Sequence, residues 1–530
     1  MNRLSMQTLA AIAVACALPA GALASPTQRP PRPFVATVSI GARPSGRPLS
    51  GDFLGLALEY RSIPALAGSQ DPATVDPVLA QLIRNLAPGG HPVLRIGGQS
   101  GDRSWWPVAG MARPRGITYN ITPGWIAYAR ALAQATGARL LLGLGLEADR
   151  PRIDGVEARA LLSGIGAGHV QALALGNEPL LYTGIPWYRT LNSKVLPWYS
   201  QAGQPVFARR PSYGIAAYEQ EWSRATAALP PFALAGPDVG TLPWLDSFEQ
   251  RLARRSRVRI VTWHDYGLSQ CDTDPSSPAY PSVANLLTAA ASRGTIGNIR
   301  PRIALAHRYG ASFVIDEMGS ISCNGRAGVS DTFGSALWLL DALFALDSDG
   351  VDGVDLHTFP GLSNGLFDFT HAHGQWQGSV HPLYYGALMF GQAAPPGSRL
   401  LGVTTGSDPR LRAWATLGAD RRIRVLLIDD SLRRAARVTV RAPGAPGTPD
   451  APGSAATGPA ALVRLSAASA YATAGVTLGG QGFGATTTTG ALPPPIAGAV
   501  PIRSGSYAIT LAPASAALVT LPAPVPVPVG

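Results

Sequence analysis

Two stretches decide the fold: Ala174-Leu175-Gly176-Asn177-Glu178-Pro179 and Phe313-Val314-Ile315-Asp316-Glu317-Met318-Gly319. Each is a short apolar run that ends in a glutamate and is closed by Gly or Pro. Runs of this length and composition read as parallel strands buried on both faces. A Glu just past the last strand residue then stands on the C-terminal rim of a barrel, where the active sites of such folds lie. Glu317 follows Glu178 by 139 residues, about half of a barrel of ~250 residues or more.

The same alternation extends outward from both stretches. Phe53 to Glu59, Val93 to Gly98, Arg139 to Leu144, Gln171 to Gly176, Phe232 to Gly236, Val258 to His264, Ser312 to Asp316 and Gly353 to His357 read as strands. Between them, helical spacing of apolar residues recurs over 78–86, 125–136, 156–162, 215–228, 244–254, 283–291 with 303–307, and 332–346, and 383–390 closes the series. The order predicts an α/β chain, a (β/α)8 TIM barrel over residues 48–392. An aromatic connection with Tyr182, Trp187, Tyr188, Trp198 and Tyr199 follows Glu178.

The pattern changes after residue 395. Residues 412–416, 423–428, 436–440, 462–465 and 506–511 read as short strands between Gly/Pro/Thr/Ala-rich connections. They predict an additional antiparallel β-sandwich domain over 393–522, with a Pro-rich tail at 523–530. The β-prone run 34–40 precedes the barrel and has no parallel slot in it. Residues 25–47 are therefore read as a leader and an N-terminal strand joining the sandwich.

With 46% hydrophobic and 14% charged residues, the chain can build a large core. The net charge is +11, and Lys194 is the only lysine among the cations. No Lys/Arg-rich helix interleaved with aromatics appears, which argues against nucleic acid as a partner. Residues 1–24 read as a signal peptide: Arg3, an apolar core from Leu9 to Leu18, and an Ala22-Leu23-Ala24 cleavage site. The core is too short to span a bilayer, and no later stretch qualifies as a span. An exported protein is expected, periplasmic or extracellular. Cys271 and Cys323 then remain, as a pair or as two free thiols.

Two carboxylates on one rim suit cleavage of a glycosidic bond: one protonates the leaving oxygen, the other attacks or activates water. Asp316 is a rival to Glu317, but strand alternation turns it toward the barrel wall. Arg95, inside the second strand, needs buried carboxylate partners, and a catalytic Glu is one candidate. Glu59 and Asp102, at the exits of strands one and two, bind sugar hydroxyls or serve only the scaffold. His357 ends strand eight at another rim position. Trp105, Trp106, Trp187 and Tyr188 suit stacking on sugar faces, or core packing. There is no H-E-x-x-H and no clustered His/Cys spacing, so no metal is expected. Gly97-Gly98-Gln99-Ser100-Gly101 lacks the dinucleotide-binding order, and no G-x-S-x-G elbow occurs. No cofactor is expected.

Asn177-Glu178-Pro179 after a fourth strand resembles the acid/base motif of clan A retaining glycosidases. Together with Leu94-Arg95-Ile96-Gly97-Gly98, His264-Asp265-Tyr266, Asp316-Glu317, Val329 to Phe333 and Gly350 to Thr358, it resembles glycoside hydrolase family 79. That family contains heparanase and β-glucuronidases. The resemblance runs from about residue 34 to 520. It implies Glu178 as acid/base, Glu317 as nucleophile and Asn177 as the ligand of the sugar 2-hydroxyl. It also implies a β-glucuronidase whose partner is a glucuronic-acid-containing glycoside or polysaccharide; the arginines are spread along the chain instead of gathered as the basic subsites of an endo-acting cleft, so exo action is expected. Tyr266 is placed to donate to Glu317, and His264 to line the same pocket. The loop Ser320 to Gly325, with Ser322, Asn324 and Gly325, offers an anion nest for the substrate carboxylate, which a Cys271–Cys323 bridge would pin. Rival readings are a neutral-sugar clan relative (glucosidase, xylosidase or arabinofuranosidase) and a non-catalytic carbohydrate-binding protein.

Overall fold

The structure is a computed structural model that describes residues 31–67, 75–255, 257–406, 408–445 and 458–523. The expected leader at 1–24 and most of the tail at 523–530 lie outside them. Eight parallel strands close into a barrel: β1 (Leu54–Glu59), β2 (Val93–Gly97), β3 (Arg139–Leu144), β4 (Val170–Leu175), β5 (Leu234–Gly236), β6 (Val258–Ser269), β7 (Ser312–Ser322) and β8 (Gly353–His357). Each pairs in parallel with its sequence neighbours, and β8 pairs β1 to close the ring.

Helices fill the connections, and their ends follow local chemistry. Thr122 caps Pro123–Thr136 by accepting from the Trp125 N–H, and Gly137 ends it in the left-handed conformation. Asp76 caps Pro77–Leu86 through the Val78 N–H. The helix Phe333–Ser348 is apolar on all sides because it is buried on all sides, between the barrel and the C-terminal sheet. Among the described residues no helix is long and apolar enough to cross a membrane.

Two expectations about strand ends are corrected. β6 and β7 run five or six residues beyond the predicted ends, so Glu317 and Tyr266 lie within strands that project above the rim. Pairing continues there through Leu268–Ile321 and Ser269–Ser322. Asp316 does not face the barrel wall. The register steps from Thr262–Val314 to His264–Glu317 on one side of β7, and from Ile315–Val354 to Met318–Leu356 on the other. Each step spends one extra residue on β7, a β-bulge that breaks the two-residue alternation. Asp316 and Glu317 consequently both approach Arg95.

The C-terminal strands form one 11-stranded sheet around a core of its own, with Val38, Ile40, Leu427, Val438, Ile509 and Val519. Phe34–Ser45 joins it as expected, antiparallel to Arg399–Thr405 but parallel to Ala436–Arg441. Arg399–Thr405 and Ser515–Thr520 were not legible as strands; the latter is half alanine and serine. The aromatic connection after Glu178 also carries strands: Pro186–Leu191, Lys194–Leu196 and Gln204–Phe207 form a small antiparallel sheet. Its first turn has Asn192 and Ser193 both at positive φ, the geometry of a two-residue hairpin loop.

Candidate active site

The centre of the rim is Arg95, the one arginine of β2, with 1% of its surface exposed. Its Nη1 donates to Glu317 Oε2 at 2.7 Å, and its Nη2 donates to Asn177 Oδ1 at 2.8 Å and Asp238 Oδ2 at 3.2 Å. Asp316 Oδ2 lies 3.5 Å from its Nε. The guanidinium fork thus ties β2 to β7 and to the segments that follow β4 and β5.

Glu317 has its other oxygen, Oε1, 2.7 Å from the Tyr266 hydroxyl. His357 Nδ1 lies 3.7 Å and His264 Nδ1 4.0 Å from that same oxygen. Burial opposes ionisation of Glu317, but His357, His264, Arg95 and the Tyr266 bond outweigh it and hold its carboxyl well below the usual range. Burial and the Glu317 charge push the Tyr266 hydroxyl well above its ordinary value, so it remains a donor. Gly319 makes this bond possible: a Cβ there would stand 2.7 Å from the Tyr266 ring.

Glu178 leaves β4 in a left-handed conformation at φ 47°. That strained backbone is fixed by its N–H donating to Asp238 O at 2.9 Å. Its Oε1 lies 3.3 Å from His264 Nδ1. The two glutamates share this ring nitrogen, which caps their separation at about 7 Å. That bound on the two Oε1 atoms admits the about 5–5.5 Å of a retaining pair. Burial disfavours a charged His264, but Glu317, Asp316 and Glu178 push it up to about 9.

The remaining sequence candidates divide. Asn177 is on the rim, its Oδ1 taken by Arg95 and its backbone N–H by Asp102. Asp102 is not placed for sugar. Its buried carboxylate accepts from the N–H groups of Leu146, Glu147 and Asn177 and from the Tyr182 hydroxyl. Glu59 accepts the Ser100 N–H through Oε2 and turns Oε1 toward His357 Nε2 at 3.9 Å. Gly98, at φ +65°, allows that approach, since a Cβ would lie 2.3 Å from Glu59 Oε1. Trp105 is core, with its indole donating to Asn120. Trp106 is partly buried against the core, and Trp187 packs over Gly116.

Ser322, Asn324 and Gly325 lie at and beyond the end of β7. Cys323, Asn324 and Gly325 have φ of 57°, 74° and 77°, three successive left-handed residues. Asn364 braces the turn by donating to Ile321 O at 2.6 Å, and it abuts Gly325. Cys271 Sγ and Cys323 Sγ stand 2.8 Å apart across the β6 and β7 extensions. Arg326 stacks over Tyr280 at 5.3 Å on the same loop.

Sequence spacing gave no sign of one buried group. Asp238, His264 and Asp316 each place a metal-ligand atom within 4.8 Å of the others. Arg95 stands among them, 3.2 Å from Asp238, 3.4 Å from His264 and 3.5 Å from Asp316, so a guanidinium already supplies the cation. Asp238, from a loop after β5, was missed because nothing in its sequence context marks it.

No family model and no curated protein matches the chain. Solved structures do. A 4-O-α-L-rhamnosyl-β-D-glucuronidase from Fusarium oxysporum 12S aligns at TM-score 0.66 and 20% identity, over 91% of this chain and all of that one. A GH51 arabinofuranosidase from Xanthomonas axonopodis pv. citri aligns at 0.61 and 12%, over 92% and 99%. The family 51 α-L-arabinofuranosidase AbfB of Bifidobacterium longum aligns at 0.57 and 14%, over 92% and 99%. At these identities the likeness is one of fold: the chain shares, over nearly its whole described length, the barrel-plus-sheet architecture of these proteins.

Proposed function

We propose that the protein is an exported retaining β-glycosidase acting on β-glucuronides from the chain end, with Glu317 as nucleophile and Glu178 as acid/base. One observation carries this reading: a buried, ionised Glu317 clamped by Arg95 and Tyr266, with Glu178 on the same His264 nitrogen. A carboxylate held this way is a nucleophile that keeps no proton, and Glu178, on the more exposed side, is its acid/base partner.

In the first step Glu317 attacks the anomeric carbon, the glycosidic C–O bond breaks, and Glu178 gives its proton to the leaving oxygen. A glycosyl ester on Glu317 results. In the second step a water gives its proton to Glu178 and its oxygen to the anomeric carbon, and Glu317 leaves as a carboxylate. Asn177, oriented by Arg95 through its Oδ1, presents its amide N–H2 toward the sugar 2-hydroxyl. The chemistry needs no cofactor.

Three features support a glucuronide over a neutral sugar. The left-handed turn Cys323–Gly325 offers backbone donors, Arg326 adds a cation on the same loop, and a glucuronide-cleaving enzyme is among the proteins that share the fold, beside the arabinofuranosidases. Burial and the Cys271 contact raise the Cys323 thiol, and the Glu178 charge adds a smaller push in the same direction. Pairing of Cys271 with Cys323 belongs to the same proposal and would brace the loop, as does a division into a catalytic unit at 48–392 and a supporting unit at 393–522. The test is hydrolysis of chromogenic β-D-glucuronide, β-D-glucoside, β-D-xyloside and α-L-arabinofuranoside by the wild type and by Glu317→Ala. Glucuronide turnover that the variant loses is expected. Turnover of a neutral sugar alone would overturn the specificity, and inactivity on all four together with binding of a glycan would overturn the enzyme.

A further inference from the structure

We propose that His357 is a positioning residue that fixes the single hydroxyl proton of Tyr266 on the nucleophile. The proposal rests on the reading of Glu317 as nucleophile and adds a residue that acts on it through a second one. It follows from counting protons in a short chain of contacts: Glu317, Tyr266, His357, Glu59.

A phenol has one hydrogen to donate and lone pairs to accept with. An ionised carboxylate only accepts. Tyr266 OH is 2.7 Å from Glu317 Oε1, so in that bond Tyr266 is the donor and its only hydrogen is spent. Tyr266 OH is also 3.0 Å from His357 Nδ1. Two lone pairs cannot form a hydrogen bond with each other, so Nδ1 must carry a hydrogen and donate it to the phenol oxygen. The ring does not reach Glu317 itself within hydrogen-bond distance, since Nδ1 to Oε1 is 3.7 Å. Its effect on the nucleophile therefore passes through Tyr266.

The surroundings keep the ring in that state. His357 ends β8, paired with β1 at Ala57, and is mostly buried. Phe359 packs edge-on against the ring, with centroids 5.5 Å apart. Its Nε2 faces Glu59 Oε1 at 3.9 Å without a hydrogen bond. Glu59 is anchored by the Ser100 N–H at 2.8 Å. Burial alone would discharge the ring, but Glu317 and then Glu59 push its proton affinity up.

The consequence is directional. With Nδ1–H facing the phenol oxygen, the Tyr266 hydrogen cannot turn toward His357 and stays on Glu317. The bond weakens when Glu317 becomes an ester, because the oxygen then loses its charge, and it strengthens again as the carboxylate departs. The benefit falls on breakdown of the ester, the step in which charge returns to Glu317.

The test uses His357→Phe and His357→Asn on the full chain, with the 2,4-dinitrophenyl glycoside of whichever sugar the wild type accepts. That leaving group makes ester breakdown the slow step. Asn carries an N–H that can take the place of Nδ1–H, and Phe does not. His357→Phe is expected to lower kcat about 10- to 100-fold, the worth of one hydrogen bond to a charged group, and to lower KM with it as the ester accumulates. His357→Asn is expected to recover most of kcat. A rise of KM with kcat unchanged would make His357 a substrate ligand, and equal losses in both variants would make it a packing residue; either overturns the proposal. One readout does not depend on activity. In protein labelled with 15N at its 8 histidines, the resonance lost in His357→Asn must report a protonated Nδ1. A neutral ring protonated only at Nε2 overturns the proposal even if no glycoside is turned over.

Discussion

Arg95 Nη1 and Glu317 Oε2 lie 2.7 Å apart, with almost no solvent reaching either side chain. Arg95 comes from β2 and Glu317 from β7, and the same guanidinium also meets Asn177, Asp238 and Asp316. One cation therefore helps to keep Glu317 ionised, orients the Asn177 amide and sits among the acids packed behind them.

Arg95→Met should leave Glu317, Asp238 and Asp316 buried without the guanidinium they share. Breaking a buried pair from one side costs about 3–5 kcal/mol. Urea unfolding should show a loss of that order, and activity should fall because Glu317 and Asn177 lose the guanidinium that orients them. A variant with wild-type stability and turnover would remove Arg95 from this role.

Glu178→Ala and Glu317→Ala should differ in kind. Neither residue's removal exposes core, so both variants should stay folded by circular dichroism. Glu317→Ala should lose all turnover. Glu178→Ala should lose about 10²- to 10⁴-fold on glycosides with poor leaving groups, and much less on a dinitrophenyl glycoside, which needs no acid. Added azide should then restore turnover of the latter with a glycosyl azide as product. Azide rescue of Glu317→Ala with the same retained product would reverse the two assignments.

The pH dependence of stability should carry the mark of His264. Its folded value, about 9, stands above the ordinary 6.5, so the stability it contributes is complete below about pH 6.5 and is lost as pH rises through 9. That difference amounts to about 3 kcal/mol. Glu317 works in the opposite sense: its contribution is present above the ordinary carboxylate value and disappears only in strong acid. Chemical unfolding at intervals from pH 6 to 10 should show the alkaline decline in the wild type. The decline should be reduced in His264→Gln, and an identical slope in both would contradict the assignment.

Asp102 should behave as scaffold. Asp102→Ala leaves the donors of Leu146, Asn177 and Tyr182 without an acceptor, at about 1–3 kcal/mol for each that water cannot reach. The variant should melt earlier, and kcat should fall because the Asn177 backbone loses its anchor. A raised KM with unchanged melting would restore Asp102 to the sugar.

The sequence by itself determined the repeat and the rim. Glu59, Glu178 and His357 were legible as C-terminal strand-end positions, and Tyr266 and Glu317 as rim positions although their strands run on past them, because apolar runs and amphipathic spacing are local and depend only on which residues must avoid water. The strand Phe34–Ser45 was also placed correctly, by elimination, because a parallel barrel had no slot for it. What only the tertiary structure decided was contact between strands. The bulge in β7 turns Asp316 toward Arg95, and no alternation rule contains it, since a bulge is fixed by the pairing of both neighbours. Asp102 reads like a rim carboxylate until the backbone donors of two other loops are found on it. The place of Asp238 and the contact of Tyr266 with His357 depend on distances of about 3 Å between residues far apart in the chain. Distances of that kind are set by how eight strands close, which no single stretch encodes.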